Sequence, residues 1–118
     1  MRVTTDFWVK AYLRRAAING CPGAVVRHGD DTAGAIFITV NRLNGGVLLF
    51  GPAPAGFSGN EDGERRFMLL HAERHLSESD AAALLEREVR FDSDVWLIEI
   101  ESQGGAHFLD GWLLATPR

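Results

Sequence analysis

The stretch "RFDSDVWLIEIES" (90–102) sets Asp92, Asp94, Glu99 and Glu101 around an apolar run, with Glu88 just upstream. Carboxylates at such spacing could ligate a hard cation or carry acid–base chemistry. Strand geometry divides them. Alternate residues share a face, so Trp96, Ile98 and Ile100 point one way and Val95, Leu97, Glu99 and Glu101 the other. Glu99 and Glu101 would then lie about 7 Å apart, near enough for a cation if a third oxygen converged. Asp92 and Asp94 fall at the strand entrance, where short acids bond turn amides. The plainer reading is a half-buried strand with solvated acids, paired with Arg27, Arg42 or Arg66 on neighbouring strands.

"HAERH" (71–75) offers a second group. Extended, His71, Glu73 and His75 share a face; helical, His71 and His75 do. Either arrangement could hold zinc or another divalent ion, although the order is not that of a zincin. No cofactor is implied beyond that possible metal. Cys21 is the single cysteine, which excludes an internal disulfide and a thiolate zinc cage. It follows a helix C-terminus, where the dipole disfavours thiolate, so it reads as an apolar filler. Lys10, Arg14 and Arg15 form a basic helix face beside Trp8 and Tyr12, a weak nucleic-acid signal. "GPAPAGFSG" lacks the Lys-Ser/Thr pair of a phosphate loop, and there is no G-x-S-x-G elbow.

The elements that position these groups follow from periodicity. Residues 5–19 read as a helix capped by Thr4, Thr5 or Asp6 and stopped at Asn19-Gly20, with Trp8, Val9, Tyr12, Leu13, Ala11 and Ile18 on its apolar stripe. "AVVRH" (24–28), "AIFITVN" (35–41) and "VLLF" (47–50) read as an antiparallel meander, the last two joined at Asn44-Gly45. Both faces of the middle strand are apolar, so something should cover each. Residues 51–64 form a long Gly-rich loop. "RRFMLLHAE" (65–73) is a fourth strand, and 79–90 a helix capped by Ser77 or Ser79, with Ala83, Leu84 and Val89 inward and a Glu86–Arg90 pair. "DVWLIEIES" and "AHFLDGWLL" close the chain as a hairpin. The expected fold is α+β: a single antiparallel sheet of about four to six strands, two helices packed mainly on one face, order α-β-β-β-β-α-β-β.

Length and composition fit one domain spanning 1–118: 118 residues, 46% apolar and 24% charged. No apolar run is long enough to span a membrane, and the N-terminal residues lack signal-peptide form, so a cytoplasmic protein is the simplest reading. The net charge of −4 is uneven. Residues 1–28 hold five cations against Asp6, whereas 60–118 hold six arginines against thirteen acids. The acidic majority makes broad nucleic-acid binding unfavourable. The apolar segment "FLDGWLL" (108–114), with Phe108 and Trp112, is either tucked into the core or a contact; a homodimer or an unknown protein partner would cover surplus apolar surface.

The ordered set "DFWVKAYLRR", "GAIFITVNRLNG", "LLFGPAP", "RRF", "FDSDVWLIEIES" and "HFLD" resembles a family of small bacterial proteins known as domain-of-unknown-function family 1491. Its most specific parts here are Phe-Asp-x-Asp-x-Trp (Phe91 to Trp96) and Gly-Pro-Ala-Pro after the third strand; Ser93 stands where the pattern often has proline. The resemblance implies a single cytosolic bacterial domain and brings no activity, cofactor or catalytic residue. The leading functional expectation is a non-catalytic interaction module, self-associating; the alternative is a metal-binding protein or enzyme using His71, Glu73, His75 or Glu99 and Glu101; the third is nucleic-acid binding through the basic helix.

Overall fold

The computed structural model describes residues 3–54 and 65–113. Thr4 begins the first helix, α1 (Thr5–Ile18), its side chain accepting from the Phe7 amide. Strands β1 (Gly23–Arg27), β2 (Ile36–Asn41) and β3 (Val47–Pro52) follow, with a 3-10 turn at Leu43–Gly45 between the last two. A short β4 (Phe67–Leu69), helix α2 (Glu78–Phe91) and β5 (Trp96–Glu101) complete the elements. Ser77 caps α2 by accepting from the Asp80 amide. Of the 51–64 loop, residues 55–64 lie outside the described residues, as does Leu114.

One five-stranded sheet runs in the order β1-β5-β2-β3-β4. The α+β class and the strand number stand as expected; three details differ. First, β1, β2 and β3 are not a meander, because β5 lies between β1 and β2. It is antiparallel to β1 (Ala24 opposite Glu99) and parallel to β2 (Ile38 opposite Ile98), so the sheet is mixed. A local reading pairs neighbours in sequence; long-range burial of an apolar strand overrode that choice. Second, the helices cover opposite faces. α1 packs Trp8, Val9, Tyr12 and Ala16 on Ile36, Ile38, Val40, Ile98 and Ile100, while α2 sets Ala81, Leu84 and Leu85 near Val47 and Leu49 on the other side. Every residue of β2 is consequently buried, as a central strand between two layers requires. Third, among the described residues "AHFLDGWLL" forms no strand. It packs Leu109 into the α1 core and touches β4 through one bridge, Phe67 to Leu113.

The "GDDTAG" segment holds the split strands in place. The Asp30 amide donates to the Asp94 carbonyl, and Trp96 Nε1 to the Asp30 carbonyl at 2.8 Å. Gly29 and Gly34 pass so close to the Asp94 carbonyl that a Cβ at either would collide with it. The Thr32 and Asp31 carbonyls accept from the amides of Thr5 and Asp6, which completes the start of α1. Asp92 Oδ1 accepts from the Asp94 amide, the expected turn role. On α1, Ala11 and Ile18 prove exposed and Ala16 buried; on α2, Ala83 is exposed and Ala81 buried.

Thr5 is the polar hinge of this corner. Its hydroxyl donates to the Gly34 carbonyl at 2.9 Å and accepts from the buried Arg65 Nη2 at 2.8 Å. Thr5→Val keeps the shape, removes the hydroxyl donor to the Gly34 carbonyl and one of the acceptors of Arg65 Nη2, which keeps the Val3 carbonyl, so it should cost about 1–3 kcal/mol in urea unfolding. An unchanged midpoint would show that these bonds contribute nothing net.

Candidate binding cleft

The β5 alternation does what its sequence implies. Trp96, Ile98 and Ile100 are buried against α1, and Glu99 points to the opposite side, opposite Ala24 and Thr39. That side is only partly roofed. α2 lies over β3, and the half formed by β5 and β1 stays open. The result is a cleft of about 240 Å³ with Glu99 in its wall. Its apolar lining includes Val26, Val47, Ala82, Leu85 and Leu97, and Glu78 stands at its α2 side. A second depression of about 250 Å³ adjoins it, sharing Val26 and Glu99 and adding Pro22, Gly23, Ala24 and Glu101.

Burial in this cleft pushes the Glu99 carboxyl above its ordinary value of 4.5; the Asn41 amide, hydrogen-bonded to it, works against that rise, and the negative charges of Glu78 and Glu101 add to it. Among the described residues no ion pair reaches Glu78, Glu99 or Glu101. The expected arginine partners are engaged elsewhere: Arg27 donates to the Val95 and His28 carbonyls, and Arg42 to the Gln103 carbonyl. Arg66 donates to the Arg65 carbonyl. Thr39 also lines the cleft; it is 7% exposed, and its hydroxyl has no hydrogen-bond partner among the described residues.

The other sequence candidates separate in space. "HAERH" is neither strand nor helix but a bend. His71 turns inward, accepting from the Leu49 amide on Nε2 at 3.2 Å and lying 2.9 Å from the Glu73 carbonyl through Nδ1. The bond to Leu49 extends the β3–β4 ladder with a side chain. His75 covers Gly46, whose positive φ of 82° closes the turn before β3. His71, Glu73 and His75 therefore do not converge. Among the described residues no group of three or more His, Cys, Asp or Glu could hold a metal ion.

Lys10 pairs with Asp6 at 3.1 Å on the surface, and Arg14 is exposed. Arg15 lies over the Trp112 ring, 5.1 Å from its centroid. Trp112 meets Trp8 edge-on at 5.4 Å, and Trp8 stacks on Tyr12 at 5.2 Å. Phe108 packs against the same core with a positive φ of 58°. Phe108 and Trp112 are thus half-buried packing groups. Tyr12 donates to the His107 carbonyl at 2.6 Å, and its phenol is raised well above the ordinary tyrosine range, first by burial and then by Cys21. Thr39, Asn41 and Glu78 were not singled out in the sequence. For Thr39 and Asn41 the available signal was a polar residue within strand β2, a strand otherwise apolar on both faces; Glu78, in the first turn of α2, had none.

The profile of the family described as "Protein of unknown function (DUF1491)" matches residues 3–110. The chain belongs to the DUF1491 family. Solved structures agree. A DUF1491 protein of Caulobacter crescentus, known from a crystal structure, is 36% identical over 98% of this chain and 100% of its own, with a TM-score of 0.78. A protein of A. tumefaciens, solved in solution, is 40% identical over 100% of this chain and 99% of its own, with a TM-score of 0.81. A search of curated proteins gave no match. Family membership accounts for the shared fold and carries no activity, since the family's function is unknown.

The sign of the Glu99 effect sets a test. Its carboxyl is raised in the folded state, so stability is fully present below the ordinary value and is lost as pH rises through the raised one. Glu99→Gln should unfold at higher denaturant than the parent near about pH 7 and match it near about pH 4. A variant less stable at neutral pH would mean that the charge is favourably held.

Proposed function

We propose that this DUF1491 protein is a small, non-catalytic, cytoplasmic interaction module that self-associates through the open edge at β1. The observation that carries this reading is the asymmetry of the two sheet edges. At the β4 edge, the Phe67 amide donates to the Trp112 carbonyl, so the C-terminal segment covers it. At the other edge, among the described residues β1 pairs only with β5, and Val25 and Val26 are 40% and 65% exposed. An uncovered apolar edge is a template for strand addition.

A second copy fits this edge by charge. Two β1 strands running antiparallel about Ala24, with the bulge at Val26 making Val25 to Arg27 a single step, set the Arg27 of one copy level with Pro22 of the other. Glu101 lies there, its amide bonded to the Pro22 carbonyl at 2.8 Å. The twofold repeats the contact, as an isologous interface does. Among the described residues no helix is long and apolar enough to cross a membrane.

Multi-angle light scattering over rising concentration should show a mass moving from monomer to dimer. Arg27→Glu or Glu101→Arg alone should weaken the dimer by about 10-fold, and the double exchange should restore much of it. Circular dichroism checks that each variant folds. A strict monomer at every concentration, or singles and double that behave alike, refutes the β1 interface.

A further inference from the structure

We propose that the cleft between α2 and the outer half of the sheet binds a small organic cation: a primary ammonium on a short apolar chain. This inference does not rest on self-association, although Val26 belongs both to the β1 edge and to the cleft wall. Three observations converge on it. The cleft walls are apolar, with Val26, Val47, Ala82, Leu85 and Leu97, and they enclose about 240 Å³. Glu99 is set into that wall with Glu78 beside it, and no described arginine or lysine lines the space. Thr39, 7% exposed, lines the same space from β2, and its hydroxyl makes no hydrogen bond among the described residues.

Each feature selects part of the ligand. A carboxylate held half-buried without a counter-ion is a standing electrostatic cost, and an arriving cation removes it. Both Glu99 and Thr39 can accept, so the cation must carry N–H donors, which an ammonium supplies in three directions. A bare calcium ion wants six to eight oxygens, far more than this wall presents. The aliphatic lining favours a carbon chain behind the charge, each buried methylene contributing about 0.8 kcal/mol. The space is smaller than that of drug-sized pockets, which limits the chain to a few carbons. The same ammonium chemistry occurs in free alkylamines and in lysine side chains; the free amine is the occupant proposed, and the titration separates the two.

The test is a titration of 15N-labelled protein with hexylammonium, hexanoate and hexanol, followed by amide shifts. Hexylammonium should shift Thr39, Ala81, Ala82 and Glu99 saturably, and the anion and the alcohol should bind about 10-fold more weakly or not at all. Glu99→Gln should weaken hexylammonium by about 10-fold, and Thr39→Val by a smaller factor. No binding, equal binding of the three probes, or unchanged affinity in Glu99→Gln overturns the proposal. A blocked peptide with a central lysine is the source control: binding tighter than hexylammonium would overturn the assignment to a free amine.

Discussion

The structure depends on the pairing of β5 with β2. These two strands sit at the centre of the sheet, parallel, with Ile36 opposite Trp96 and Ile100 opposite Val40. Parallel neighbours need a long crossover, and here β3, β4 and α2 all lie between them in sequence. Once β5 takes this place, β1 is displaced to the edge and β2 is enclosed on both sides. Trp96 pins the junction: it is 1% exposed, donates to the Asp30 carbonyl and faces the His28 ring at 3.9 Å. Loss of its indole would remove both packing and a hydrogen bond, the combination that makes aromatic truncations costly, about 3–5 kcal/mol.

The two faces of the sheet solve different problems. The α1 face is closed by aromatic packing. Trp8 contacts Tyr12, Phe67 and Trp112, and Arg15 covers Trp112 from outside. Tyr12 donates its hydroxyl there to the His107 carbonyl. The α2 face is less complete. One helix of 14 residues cannot roof five strands, so Glu99 and Thr39 are left between a packed layer and solvent. An acid kept there at a cost to stability is the kind of local inconsistency that a binding site explains and packing alone does not.

The histidines illustrate how a metal-like pattern can serve structure. His71 replaces a backbone acceptor for the Leu49 amide where β4 ends after three residues. His75 roofs the glycine that turns the chain into β3. Neither task needs the two rings to meet. Cys21 is likewise packed at the margin of the α1 core.

Much of the secondary structure was legible in the sequence because it rests on local causes. Thr4 and Ser77 cap helices by bonding amides three residues on, and the alternation of "WLIEIE" sorts Trp96 from Glu99 whatever the strand pairs with. The Asp92 turn and the Glu86–Arg90 pair are local in the same sense. The need to cover both faces of "AIFITVN" was also visible, since apolar residues on both sides of a strand cannot all face water. Which helix covers which face was not. That, the insertion of β5 between β1 and β2, and the meeting of Thr39, Glu78 and Glu99 join residues far apart in the chain. Sequence spacing carries no information about such contacts; they are set by how one small core excludes water, and only the tertiary structure decided them.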